Sequence, residues 1–225
     1  MMRHAKMRRS IFITATDTDA GKTWVAEHFL QHLRMQNFDA QALKPIASGV
    51  SGSGLNEDVE KLLQVQIEKK AQDINFHTYQ NPVAPALAGQ LETHQIDTEN
   101  MLAWIQAQEK KAKITLIEGV GGLMAPLVLS EEKTWLVSDW LAAMPAAEIM
   151  LVVPLRLGCM NHLLLTCALL ATMNRAPAWI VFNDLDHNDT GENVMRTLRP
   201  FLERYFDSLP HMSCIRHPSD LASIL

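Results

Sequence analysis

The chain has 225 residues, of which 48% are hydrophobic and 20% are charged, and its formal net charge is −5. This balance is typical of a globular protein rather than a disordered one, and the absence of a broad basic field argues against nucleic acid as a partner. The apolar runs are too short to span a bilayer. We predict a single domain over residues 1–225, in which the basic start at 1–10 is a loose leader without a secretory segment.

Nearly continuous apolar segments alternate with helical patterns along the chain. Apolar segments without polar alternation are typical of parallel strands buried on both faces. The predicted strands lie at 11–15, 40–45, 114–119, 148–155 and 178–183. The predicted helices lie at 22–36, 57–68, 84–91, 98–111, 161–174 and 189–206. We therefore predict an α/β fold, with a mostly parallel sheet covered by helices on both faces.

Polar or glycine residues follow each predicted strand at its carboxyl end. In doubly wound sheets, ligands bind at this edge, near a switch in strand order. We therefore expect these residues to converge on one site. In chain order they are TDTDAGKT, then Lys44 and Ser48, then Glu118, then GCMN, and finally Asn183 with Asp184.

The segment TDTDAGKT (16–23) joins the first strand to the first helix and resembles a phosphate-binding loop in which Thr16 replaces the usual first glycine. Backbone N–H groups at such a turn attract phosphate, Lys22 can reach the terminal phosphates and Thr23 can bind Mg²⁺. The alternative is a tight turn with a surface lysine. Asp17 occupies the position of the signature lysine of partitioning-type ATPases, which argues against that class.

Three further charged residues are candidates for the same site. Glu118 closes a buried-type segment and could bind Mg²⁺, or it could face solvent. Asp58 is either a metal ligand or a charge at the start of a helix. Lys44 either neutralises charge during phosphoryl transfer or is an ordinary surface lysine.

The cysteines Cys159, Cys167 and Cys214 are odd in number and have no CxxC spacing. This pattern favours reduced thiols over a disulfide framework or a zinc site. We therefore expect a cytoplasmic protein.

Several motifs together resemble the dethiobiotin synthetase family in order and spacing, over about residues 11–184. Besides TDTDAGKT, they are KPIASG (44–49), the acid within NEDVEKL (56–62), IEGVGG (117–122) followed by Pro126-Leu127, LGCMNH (157–162) and Asn183-Asp184.

The resemblance implies a P-loop NTPase type of fold and the penultimate step of biotin biosynthesis. In that reaction ATP and Mg²⁺ drive CO₂ into 7,8-diaminononanoate (7,8-diaminopelargonate) to form dethiobiotin. An amine captures CO₂ as a carbamate, the carbamate attacks the γ-phosphate to give a mixed anhydride, and the second amine closes the ring. The resemblance also implies a homodimer in which the substrate tail contacts the second subunit.

The resemblance further implies roles for individual residues. The catalytic residues would be Lys44, Lys22 and Thr18, and the Mg²⁺ ligands would be Thr23, Asp58 and Glu118. The nucleotide would contact Asp19, Ala20, Gly21, Lys22, Thr23, Trp24, Asp58, Glu118, Gly119, Val120, Gly121, Asn183 and Asp184. The diamine would contact Ser48, and its tail carboxylate would contact Gly158, Cys159, Met160 and Asn161 of the neighbouring subunit, with a helix N-terminus expected at Asn161.

Three positions depart from the family's common residues: Ala15 for glycine, Asp19 for glutamate, and Val194 for a tyrosine found in some members. Two other functions are alternatives to the synthetase. An amidotransferase-related ligase acting on a corrin-type acid would normally bring a glutaminase domain, for which the chain leaves no room. A nucleotide-binding scaffold without turnover would be favoured by loss of Lys44 or Glu118, but both are present.

Overall fold

The computed structural model describes residues 8–184 and 190–224. The strands are β1 (Arg9–Ala15), β2 (Ala40–Leu43), β3 (Ile46–Ser48), β4 (His77–Tyr79), β5 (Ile114–Gly122), β6 (Pro126–Leu129), β7 (Thr134–Leu136), β8 (Glu148–Pro154), β9 (Trp179–Asn183) and β10 (His211–Ile215). The helices are α1 (Lys22–Met35), α2 (Glu57–Gln64), α3 (Ala71–Ile74), α4 (Pro85–Leu91), α5 (Thr98–Glu109), α6 (Val137–Ala142), α7 (Cys159–Thr172) and α8 (Gly191–Leu202), followed by a 3₁₀ helix at Pro218–Ile224.

The main sheet has six strands in the order β10-β9-β8-β1-β5-β2. All of its neighbouring strands run parallel. The strand β1 lies between β5 and β8, so the chain builds outward from β1 in both directions. This reversal of strand order puts a crevice at the carboxyl end of β1, which is where doubly wound sheets bind ligands.

The centre of the sheet is buried on both faces, as its continuous apolar strands predict. In β1, the residues from Ile11 to Ala15 are all buried, and the ring of Phe12 meets the indole of Trp140 edge-on at 4.9 Å between centroids. One face of α1 is also buried, including Phe29 and Leu33. This packing fixes the start of α1 relative to the end of β1 and so fixes the loop between them.

The five predicted strands and six predicted helices all exist, but some boundaries differ. The strand β1 begins at Arg9 rather than after the predicted leader, because Arg9 pairs with Ile114 and its guanidinium donates two hydrogen bonds of 2.8 Å to Glu148. Residues 1–7 of the predicted leader lie outside the described residues. The last predicted helix is shorter, Gly191–Leu202 instead of 189–206, and its first predicted residues also fall partly outside the described part of the chain.

The edge strand β10 was not predicted. It has only five residues, and its burial alternates because one side faces solvent, so it lacks the continuous apolar run that marked the other strands. None of the helices in the described residues has both the length and the apolar character needed to cross a membrane.

Candidate active site

The phosphate-binding loop has backbone geometry that explains its residue types. Asp19 and Gly21 adopt left-handed φ angles of 52° and 88°. Aspartate tolerates this region better than most residues. A Cβ atom at position 21 would lie 2.0 Å from Nδ2 of Asn183, so only glycine fits there. Thr16 directly follows β1, its N–H donates to the carbonyl oxygen of Val152, and its φ is not left-handed, so this position does not require a glycine.

The loop ends directly in α1, with Gly21 as the N-cap residue. The first N–H groups of a helix have no partner within the helix, so those of Lys22, Thr23 and Trp24 are available to an anion. The Lys22 ammonium lies 3.4 Å from the carbonyl oxygen of Asp17 in the same loop. The backbone N–H donors and the Lys22 ammonium thus belong to the same loop and can bind one anion together.

A buried charge cluster lies beside this loop. The Lys44 ammonium is 2.5 Å from Oε1 of Glu118 and 2.8 Å from Oδ2 of Asp58. The Thr23 hydroxyl donates to the same Glu118 oxygen at 2.7 Å. Lys44 is 4% exposed and Glu118 is 1% exposed. The surface-lysine and solvent-facing alternatives for these two residues are therefore wrong.

Asp58 is not the cap of its helix. The cap of α2 is Asn56, whose side-chain oxygen accepts from the N–H of Asp58 at 3.0 Å. The Asn56 amide also donates to the carbonyls of Ser48 and Gly49, at 3.0 and 2.9 Å. Because Asn56 satisfies the helix end, the Asp58 carboxylate is free to meet Lys44. Sequence reasoning missed Asn56, although asparagine is a preferred N-cap residue.

The position of Glu118 within its strand corrects one prediction. It lies within β5 rather than at its end, because β5 continues to Gly122 beside β1. The close approach of the two strands explains the glycines. A Cβ atom at Gly119 would lie 3.2 Å from the Phe12 ring, and one at Gly122 would lie 3.2 Å from the carbonyl oxygen of Ala15.

Burial and neighbouring charges shift three pKa values in the cluster. Burial, and then the charge of Lys44, lower the pKa of Lys22 to about 8. Burial would lower the pKa of Lys44 as well, but Glu118 and Asp58 outweigh it and raise that pKa. Burial would raise the pKa of Asp58, but the charge and hydrogen bond of Lys44 hold it below its ordinary value. Lys44 is therefore held as a cation, whereas Lys22 can lose its proton when the pH rises above about 8.

The loop and the charge cluster open into one cleft of about 620 Å³. Ser48 and the segment from Pro82 to Pro85 also line this cleft. The Ser48 hydroxyl is buried and has no protein partner, so it is available to a ligand. Predicted site residues lining this cleft are Thr18, Asp19, Ala20, Gly21, Lys22, Thr23, Trp24, Lys44, Ser48, Asp58, Glu118, Val120 and Gly121.

Two predicted nucleotide contacts lie at the end of β9. The Asn183 amide donates to the carbonyl of Ala20 at 2.9 Å, while its Oδ1 is buried without a protein partner. Asp184 is buried, and its carboxylate accepts from Arg216 at 2.9 Å. Asn183 thus touches the phosphate loop directly, whereas Asp184 ties β9 to the segment after β10.

The predicted tail-binding segment does not line the cleft of its own subunit. Its helix begins at Cys159 rather than at Asn161, with Gly158 as the N-cap at a φ of 91°. The prediction of a helix start at Asn161 was wrong because glycine can adopt the left-handed cap conformation there. Cys159 is buried, whereas Met160 and Asn161 are exposed. Arg156, just before this segment, donates to Asp17 of the phosphate loop at 2.6 Å.

The sheet order, the glycine-containing loop and the lysine at the start of α1 define the class of P-loop nucleotide-binding proteins. Two solved structures support this class at the level of the fold. Hydrogenase maturation factor HypB from Archaeoglobus fulgidus superimposes with a TM-score of 0.52 and 13% identity, over 93% of this chain and 82% of that chain. Signal recognition particle receptor FtsY from Elizabethkingia anophelis superimposes with a TM-score of 0.51 and 12% identity, over 98% of this chain and 66% of that chain.

Sequence comparison is more specific. A protein-family model described as "AAA domain" matches residues 9–222. The ATP-dependent dethiobiotin synthetase BioD of Cellvibrio japonicus is 34% identical, over 71% of this chain and 69% of that protein. The enzyme of the same name from Aeromonas hydrophila is 31% identical, over 97% of this chain and 100% of that protein. The chain belongs to the ATP-dependent dethiobiotin synthetase family, which confirms the predicted resemblance and fold class.

Proposed function

We propose that this protein uses ATP to close 7,8-diaminononanoate and CO₂ into dethiobiotin, the penultimate step of biotin biosynthesis. Its relatives carry the name of this enzyme. The observation that carries the proposal is the buried cation Lys44, held between Glu118 and Asp58 beside the phosphate loop. A scaffold that only bound nucleotide would have no use for a second lysine buried at this position.

The reaction builds up negative charge in three steps. An amine of the substrate attacks CO₂ and loses a proton, which leaves a carbamate. A carbamate oxygen then attacks the γ-phosphorus, the bond to the β-phosphate oxygen breaks, and ADP leaves. The second amine attacks the carbonyl carbon and loses a proton, the carbon–oxygen bond to phosphate breaks, and phosphate leaves. Fixed cations that face such developing charge stabilise it strongly in a buried site.

Lys22 and Lys44 are the cations proposed for this task. Lys22 belongs to the phosphate loop and would stabilise the γ-phosphate as it moves. Lys44 lines the same cleft as Ser48, whose hydroxyl has no protein partner, and would stabilise the carbamate. Thr18, whose N–H is held by Asp17 at 2.8 Å, would contact the diamine end with Ser48.

The residues expected to bind Mg²⁺ suit that ion. Magnesium prefers oxygen ligands and is usually held by one or two carboxylates together with substrate phosphates. Glu118 and Asp58 supply the carboxylates and Thr23 the hydroxyl, and Oε2 of Glu118 is buried without a protein partner. No cluster of three or more His, Cys, Asp or Glu occurs in residues 8–184 and 190–224, so phosphate oxygens would complete the site. When bound, the ion would neutralise charge on the β- and γ-phosphates.

We further propose that the enzyme is a homodimer in which the segment 158–161 of one subunit binds the tail carboxylate of the substrate held by the other. Met160 and Asn161 are exposed and do not line the cleft of their own subunit. Mixing inactive Lys44→Met and Asn161→Asp variants tests this arrangement. Because a two-fold dimer would regenerate one intact site in each hybrid, activity should return on mixing, and a mixture without activity would contradict the shared site.

The direct test of the function is phosphate release from Mg·ATP and bicarbonate, measured with and without 7,8-diaminononanoate, with the product identified by its mass. We expect diamine-dependent phosphate together with dethiobiotin. Nucleotide binding without any response to the diamine would favour the scaffold function instead. The cytoplasmic location expected from the cysteines stays a prediction.

A further inference from the structure

One aromatic side chain stands out in the lining of the cleft. Trp24 follows the GKT tripeptide on the first turn of α1, and among the described residues that line the cleft it is the only aromatic one. It is half-buried, so part of the indole is accessible. A partly accessible tryptophan beside a phosphate-binding loop requires an explanation, because the neighbouring groups of the loop suit anions.

The orientation of Trp24 is fixed by His28, one turn further along the helix. The two rings stack at 4.2 Å between centroids with an interplanar angle of 29°. Nδ1 of His28 lies 2.8 Å from the Trp24 carbonyl oxygen, which can only accept, so this nitrogen carries the proton. The His28 ring therefore stacks on one face of the indole and restricts its orientation, while Trp24 still contributes to the lining of the cleft.

The position of Trp24 relative to Asn183 determines what that ligand group would be. Asn183 packs against the backbone of Gly21, and its buried Oδ1 lacks a protein partner. Trp24 lies three residues after Gly21, so the two positions share a face of the helix start. If a ligand binds its phosphates at this loop, a flat group attached to them would present its edge to Asn183 and its face to Trp24.

We propose that the indole of Trp24 is the stacking platform for the nucleobase, and that it sets the nucleotide preference by ring area rather than by hydrogen bonds. This inference rests on the proposed function, because it takes ATP as the bound nucleotide. Stacking on an aromatic side chain accepts every base, since each base has a flat π face. Purines offer more area than pyrimidines, so the preference set by Trp24 is purine over pyrimidine.

The test compares ligands with and without a base. Isothermal titration is run with ATP, GTP, CTP and inorganic tripolyphosphate on the wild type and on the variants Trp24→Phe and Trp24→Leu. Leucine retains apolar bulk against the core but has no π face, whereas phenylalanine retains a stacking ring. Thermal unfolding of each variant checks that α1 is still folded, and if Trp24→Leu does not fold, Trp24→Met serves in its place.

We expect Trp24→Leu to weaken ATP about tenfold, as the loss of one base–aromatic stack implies, while tripolyphosphate is unchanged. Trp24→Phe should keep most of the ATP affinity. The advantage of ATP and GTP over CTP should shrink in Trp24→Leu. An equal loss for ATP and tripolyphosphate, or no loss for either, would overturn the inference. Failure of the proposed function would show separately, as wild-type protein that binds ATP without diamine-dependent turnover.

Discussion

Removing Lys44 should affect stability as well as catalysis. Lys44→Met keeps the aliphatic stem but leaves the Glu118 carboxylate, which is 1% exposed, without its cation. Breaking a buried pair by removing one partner costs about 3 kcal/mol or more. The contact with Asp58 adds less, because that side chain is 35% exposed and its charge is screened. For a chain of this size, a loss of about 3 kcal/mol lowers the melting temperature by roughly 10 °C.

The effect on turnover comes from a different state. In the proposed reaction Lys44 stabilises charge that exists fully only in the transition state, and removing one such group lowers kcat by about a hundredfold or more. Magnesium should restore part of the lost stability, because it binds the folded state through the carboxylates that lost their partner. The melting temperature of Lys44→Met should therefore rise more with Mg²⁺ than that of the wild type.

The assay combines differential scanning calorimetry, with and without Mg²⁺, and diamine-dependent phosphate release. Lys113→Ala is the matched control, because Lys113 is exposed and precedes β5 at the end away from Glu118. Lys113→Ala should change neither the melting temperature nor the rate of diamine-dependent phosphate release. Unchanged turnover in Lys44→Met would refute the catalytic role of Lys44, and an unchanged melting temperature would refute the buried pairing.

Three further predictions concern other residues of the site. In Glu118→Gln, the ATP affinity measured by titration calorimetry with Mg²⁺ should be close to the affinity measured without Mg²⁺. If Mg²⁺ still strengthened ATP binding as much as in the wild type, Glu118 would not be a ligand of the ion. Burial lowers the pKa of Lys22 to about 8, and the negative charge of a bound triphosphate should raise it again. ATP affinity should thus fall as pH rises above 8 and binding should take up a proton there, whereas Lys22→Arg should bind independently of pH in this range. Ala15 ends a strand and has no left-handed φ, so Ala15→Gly should lower the free energy of unfolding by about 0.5–1 kcal/mol without altering nucleotide affinity. A more stable Ala15→Gly variant in urea unfolding would show that the alanine is strained.

The parts of the site that could be predicted from sequence depend on local pattern. A buried strand that runs into a GKT turn and then a helix specifies its own geometry over about 25 residues. The convergence of Lys44, Glu118 and Asn183 could also be predicted, because the carboxyl ends of parallel strands share one edge of the sheet. The family resemblance then supplied candidate roles that neither composition nor periodicity contains.

The parts that could not be predicted depend on contacts between distant segments. The pairing of Lys44 with both Glu118 and Asp58 requires the orientation of three side chains from three elements, and no local pattern encodes it. The N-cap role of Asn56 could have been predicted from its residue type, whereas its amide contacts with Ser48 and Gly49, which join α2 to the end of β3, could not. The length of β5 was underestimated because glycines usually end a strand, whereas here they allow β5 to continue against β1.

In the proposed reaction, phosphate leaves with an oxygen taken from CO₂, because a carbamate rather than water attacks the γ-phosphorus. Bicarbonate labelled with oxygen-18 tests this claim directly, in a reaction short enough that exchange with water is small. We expect the released phosphate to carry a labelled oxygen, and only when 7,8-diaminononanoate is present. Unlabelled phosphate formed in the presence of the diamine would mean that water is the attacking group, and would refute attack by the carbamate.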